Sequence, residues 1–162
     1  MSVLQSGVTV ASLGHMVVMP LLGTVEGRPN GARMALGELA GVHVLVVEDT
    51  DDSLELLRID LEYCGALVTT AASAEEATRI LEHVRPHVLV SDVARPDDSI
   101  ELIREVMTVA QRKGLRIPAI AVTAHRGRRK ELMAEGFAEL VEKPLDPIEL
   151  CGTIRRHAQL QT

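Results

Sequence analysis

The sequence predicts an α/β fold, a five-stranded parallel sheet doubly wound by helices on both faces. Three observations predict it. From His43 onward, short unbroken apolar runs recur, the pattern of strands buried on both faces. Segments with apolar residues at helical spacing stand between them, so strand and helix alternate. Glycine, proline or a capping residue marks most junctions. Crossovers of this kind are right-handed, which leaves few topologies.

Each element follows from its residues. Val44-Leu45-Val46-Val47 is the first strand, and Asp52 to Leu61 the first helix, apolar at 54, 57 and 61. Ala66 to Thr70 is β-branched enough for the second strand. Ser73-Ala74-Glu75-Glu76 has the capping-box arrangement, and Ile80, Leu81 and Val84 carry that helix on until Pro86 stops it. Val88-Leu89-Val90-Ser91 is the third strand and runs into Asp92. A polar loop containing Pro96 follows, then a helix from about Ser99 to Gln111. Ile117 to Val122 is the fourth strand, Arg128 to Glu135 a short helix closed by Gly136, and Ala138 to Val141 the fifth strand. Asp146-Pro147 opens the last helix, a cap with proline at the first helical position and Glu149 completing the box.

Composition narrows the function. Of 162 residues, 46 % are hydrophobic, but Tyr63 and Phe137 are the only aromatics, so the core must be built from Val, Leu, Ile and Ala. The formal net charge is −6, and residues 1–41 hold only Glu26, Arg28, Arg33 and Glu38, so the excess lies beyond them. That balance argues against direct nucleic-acid binding, which needs clustered cations. No stretch approaches the roughly 18 uninterrupted apolar residues of a membrane span. The first 25 residues lack the basic start of a signal peptide, so a soluble, cytoplasmic protein is expected, with no membrane contact. Cys64 and Cys151 have no metal spacing and no CxxC partner, and are expected as reduced, buried thiols.

Two regions result: an N-terminal extension over 1–41, whose turn-rich sequence predicts no definite structure, and a single domain over 42–158. In a parallel sheet all carboxyl ends lie along one edge, where open α/β sheets place their ligands. Glu48 and Asp49 close the first strand, Asp92 the third, Thr123 the fourth and Lys143 the fifth. In the strand order 2-1-3-4-5 the first and third strands are neighbours, so three carboxylates converge. Like charges so close raise one another's pKa unless a cation joins them, and Mg²⁺ with its oxygen ligands is the natural one. The competing reading makes Asp92 a loop cap and pairs Lys143 with Glu142 or Asp146 at the surface.

Four pieces, Val44 to Asp49, Pro86 to Asp92, Ala119 to Ala124 and Glu142-Lys143-Pro144, fall in order on the right elements. On them, the region from His43 to His157 resembles the receiver domain of two-component response regulators, chemotaxis response regulators among them, with their flavodoxin-like fold. The resemblance implies a signalling domain rather than an enzyme. Asp92 would accept a phosphoryl group from a sensor histidine kinase or a histidine phosphotransfer protein. Glu48, Asp49, Asp92 and the backbone carbonyl of Ala94 would hold Mg²⁺. The Thr123 hydroxyl and the Lys143 ammonium would meet phosphoryl oxygens. The family's lysine–proline bond, here Lys143-Pro144, is cis. Signalling would go by protein contact to a downstream protein, since nothing after residue 158 is long enough for an output domain, and homodimers are compatible with the family.

The departures lie on the family's signalling surface. An aromatic usually stands three residues before the lysine; here it is Leu140. The loop after Asp92 reads Arg95-Pro96-Asp97-Asp98-Ser99, one residue short and without glycine. The helix after Thr123 is about two residues short and begins with the basic run from His125 to Lys130, which reads as a solvated helix start rather than a nucleic-acid patch. They motivate an alternative, a pseudo-receiver whose output is independent of phosphorylation. An aspartyl phosphatase is disfavoured because Asp92 is followed by Val93-Ala94 rather than a second aspartate. Residues 14–39 are faintly similar to the end of a histidine-kinase ATP-binding domain, without its nucleotide-binding boxes.

Overall fold

A computed structural model describes residues 37–93 and 96–159. Most of the extension, and with it the kinase-like similarity, lies outside the described residues, as does Ala94. Five strands, β1 (His43–Val47), β2 (Leu67–Ala71), β3 (Val88–Asp92), β4 (Ala119–Thr123) and β5 (Glu139–Glu142), pair in parallel in the order β2-β1-β3-β4-β5. The register aligns Val47 with Ser91 and Asp92 with Val122, so the carboxyl ends form one edge. Helices α1 (Asp51–Tyr63), α2 (Ala74–His83), α3 (Pro96–Arg112), α4 (Arg129–Ala134) and α5 (Pro147–Gln159) alternate with the strands.

Strand periodicity splits the core into two layers. Val44 and Val46 of β1 face α1 and α5 with Leu57, Leu61, Leu150 and Ile154. Leu45 and Val47 face α2, α3 and α4 with Leu81, Ile103, Val106 and Leu132. Both sheet faces are covered, which is why the strands are unbroken apolar runs rather than alternating ones.

The helix ends follow their capping chemistry. The Ser73 hydroxyl accepts the Glu76 N–H at 3.1 Å, while Glu76 Oε2 accepts the Ala72 N–H at 2.8 Å. Asp146 Oδ1 accepts the Ile148 N–H at 2.9 Å. Helix α3 begins at Pro96, three residues earlier than the polarity of 95–99 suggests, because proline at a first helical position supplies a preset φ and lacks an N–H that would go unpaired there anyway. The polar stretch is therefore the opening of the helix rather than a loop.

The cysteines correct the expectation of free thiols. Cys64, the C-cap of α1, and Cys151, in α5, form a disulfide across 87 residues of chain, with Cα atoms 6.6 Å apart. Helices α1 and α5 pack on the same sheet face, and both cysteines are fully buried in that layer. The contact is set by layer packing, which spacing along the chain does not express.

Leu39, before the first strand, is also fully buried in this layer, and its N–H donates to the Cys64 carbonyl at 2.9 Å. Gly65 next to it, at φ +92°, leaves the backbone of Gly37 room to pass: a Cβ there would meet Gly37 Cα at 3.0 Å.

Candidate functional site

The site is built where the strands end. Glu48 follows β1, and its N–H still bonds the Ala71 carbonyl at 3.0 Å, so the strand ladder fixes the residue's position. Only 4 % of Glu48 is exposed, and its Oε1 accepts the Thr50 N–H at 3.0 Å. Burial pushes the Glu48 carboxyl up to about 7; a hydrogen bond shared with Asp49 and the charge of Asp92 push the same way, and the Thr50 N–H opposes them. The expected convergence of carboxylates at the β1–β3 edge is therefore expressed in the electrostatics of Glu48.

Asp92 is the last residue of β3 and is likewise 4 % exposed. Its Oδ2 is paired with the Lys143 ammonium, so the lysine reaches into the site rather than toward Glu142 or Asp146. Lys143 is placed by its own backbone, whose N–H donates to the Thr123 carbonyl at 2.8 Å, just before the cis Lys143-Pro144 bond. Thr123 ends β4 and is buried; its hydroxyl donates to the Val93 carbonyl at 3.2 Å and accepts the His125 N–H at 3.0 Å. The fold thus brings Glu48, Asp49, Asp92, Thr123 and Lys143 to one edge. The loop bonds from Thr50 and His125 that hold two of them were not anticipated, for backbone donors leave no trace in residue identity.

Among the described residues, no group of three acidic, histidine or cysteine side chains is placed to hold a metal ion by itself. Mg²⁺ asks for less, taking one or two carboxylates and keeping several waters. An all-oxygen donor set, one of whose carboxyls is pushed up by burial and by its acidic neighbours, fits a cation that would offset their charge.

The three arginines of the basic run after Thr123 are paired. Arg126 Nε lies 3.6 Å from Glu142, Arg128 pairs with Glu131, and Arg129 meets Glu139 at 2.5 Å. Leu140 is buried against the α2–α3–α4 layer, an aliphatic side chain with no polar end to carry between inside and outside.

The family model for the response regulator receiver domain matches residues 44–155. This chain belongs to that family. As a receiver domain of two-component systems it is a signalling domain and not an enzyme in the ordinary sense. The receiver is 43 % identical over 122 residues to an uncharacterized 14.6 kDa protein of Leptolyngbya boryana, covering 74 % of this chain and 92 % of the relative. It is 31 % identical to the response regulator SaeR of Staphylococcus aureus, covering 67 % of this chain but only 46 % of SaeR. Among solved structures, the receiver domain of sensor histidine kinase PA1611 from Pseudomonas aeruginosa is 30 % identical, with a TM-score of 0.61, covering 74 % of this chain and 99 % of that one. That domain was crystallised with a magnesium ion coordinated in its active-site cleft. No described helix of the present receiver is long and apolar enough to cross a membrane.

Proposed function

We propose that this receiver accepts a phosphoryl group on Asp92 from a sensor histidine kinase or a histidine phosphotransfer protein, and passes the signal by protein contact in the cytoplasm. The observation that carries the reading is the buried Asp92 carboxylate paired with Lys143 beside the Thr123 hydroxyl, three groups from three strand ends. A carboxylate oxygen of Asp92 forms the new bond to phosphorus as the phosphorus–nitrogen bond of the donor breaks and the histidine leaves. Phosphoryl transfer needs alignment and charge neutralisation more than covalent assistance. Lys143 balances charge at the acceptor, and Thr123 offers its hydroxyl to a phosphoryl oxygen, as the resemblance implies. Glu48 and Asp49, with Asp92 and the Ala94 carbonyl, would hold Mg²⁺, directly or through water; when bound, the ion supplies charge neutralisation at the phosphoryl oxygens. The domain is taken as 42–158, with 1–41 an extension, and a homodimer is compatible with the reading.

A second reading, a pseudo-receiver that signals without phosphate, rests on Leu140. With leucine at this position no aromatic is present there to report the state of Thr123. Intact mass after incubation with Mg²⁺ and acetyl phosphate separates the two. The first reading expects a gain of one phosphoryl group in the wild type and none in Asp92→Asn. A folded protein that binds Mg²⁺ yet gains nothing, from acetyl phosphate or from a phosphorylated phosphotransfer protein, would select the second.

A further inference from the structure

The opposite edge of the sheet holds a different chemistry. Where β3 begins, a cleft of about 500 Å³ opens between the segment Arg85-Pro86-His87 and the turn from Gly114 to Ile117. It lies roughly 16 Å from Asp92, the length of a five-residue strand. None of its lining side chains is a carboxylate, an amide or a hydroxyl. Arg85 and Arg116 are exposed, and neither joins an ion pair among the described residues.

His87 completes the set through its tautomer. Its Nδ1 accepts the His43 N–H at 2.9 Å, while its own backbone N–H donates to the His43 carbonyl at 2.8 Å. A ring nitrogen that accepts carries no proton, so the neutral imidazole bears its proton on Nε2 and is a donor there. At the end of α3 the Gly114 N–H donates to the Gln111 carbonyl and the Leu115 N–H to the Ala110 carbonyl, with Gly114 at φ +71° closing the turn. Two arginines and one histidine therefore line the cleft together with the apolar Pro86, Leu115 and Ile117. A second cleft of about 510 Å³ adjoins it across Leu115 to Ile117 and adds Met107, Ala110, Gln111 and Pro118.

We propose that this cleft binds a small organic phosphate. Arginine forks match phosphate oxygens in pairs, and a terminal phosphate offers three oxygens to the three donor groups, where a carboxylate offers two. The apolar floor suits the organic body, and the volume is of the size that small ligands fill. In a chain of net charge −6, a cleft edge without a single acid is a selective place for an anion.

The test uses the full chain in EDTA, so that Mg²⁺ cannot draw phosphate to the acidic edge. Inorganic pyrophosphate and adenosine monophosphate are titrated in and followed by NMR. Saturable shifts of the His87 ring and of the amides of 114–117 are expected. The double variant Arg85→Gln/Arg116→Gln, with melting unchanged because both side chains are exposed and outside ion pairs, should bind about tenfold or more weakly. Non-saturating shifts spread over all surface cations, or shifts that survive the double substitution, would mean an adventitious ion only and overturn the proposal. Vesicles containing phosphatidylserine form the second arm. Wild-type retention on them without a saturable response to either soluble probe assigns the cleft to a lipid surface and overturns the small-molecule reading.

Discussion

At the scale of single residues, the acidic edge is governed by an imbalance. Glu48, Asp49 and Asp92 share it with the Lys143 ammonium, and burial, reinforced by the neighbouring carboxyls, pushes the Glu48 carboxyl up to about 7. In the unfolded chain this carboxyl releases its proton near 4.5. Between those values the folded, metal-free protein binds more protons than the unfolded one, so this group's contribution to stability is lost as pH rises through the window. Urea unfolding in EDTA should show wild-type stability falling from pH 5 to pH 7 relative to Glu48→Gln, which lacks the titrating group. Parallel profiles for the two proteins would remove Glu48 as the cause. Mg²⁺ competes for the same oxygens, so its affinity should climb over the same interval, as calorimetry can measure. Residue type alone exposed the candidates here, because carboxylates at the ends of buried strands are rarely idle. It did not expose the degree of charge strain, which depends on how deeply Glu48 is covered.

At the scale of elements, caps and turns were legible and the crosslink was not. Ser73 and Asp146 cap as their spacing predicts, since capping is a local reaction between residues two or three apart. Pro96 and the acidic pair after it also carried the signal of a helix start, which general polarity obscured. Cys64 and Cys151 meet only because α1 and α5 share a sheet face. Closing a loop of 87 residues restricts the unfolded chain strongly. Replacing both cysteines by alanine should lower unfolding free energy by about 2–4 kcal/mol. The comparison is a urea melt of oxidised wild type against the double variant; coincident curves would show that the crosslink does not hold the two helices. Because both sulfurs are buried, a dithiol reductant should act on the native protein slowly and on the urea-unfolded protein quickly.

At the scale of the whole molecule, the fold begins before its first strand. Leu39 fills the α1–α5 layer, and its backbone bonds Cys64, so this one residue of the extension packs into the receiver's core. Leu39→Ala should cost about 2–5 kcal/mol, the usual range for a buried leucine, read from thermal or urea unfolding. A change within a few tenths would instead make residue 42 the energetic boundary. The same scale explains how one strand, β3, serves two ends: Asp92 at an anionic edge and His87 at a cationic cleft.

The sequence by itself determined the element types, the parallel sheet and the residues at the acidic edge. Those depend on periodicity, on local caps and on the rule that parallel strands end together. Only the tertiary structure decided that Lys143 answers Asp92 rather than a neighbour, that Cys64 finds Cys151, that Leu39 belongs to the core, and that Arg85, His87 and Arg116 face one cleft. Each of these joins residues far apart in the chain, and such contacts are set by how layers stack, a quantity that no short window of sequence contains.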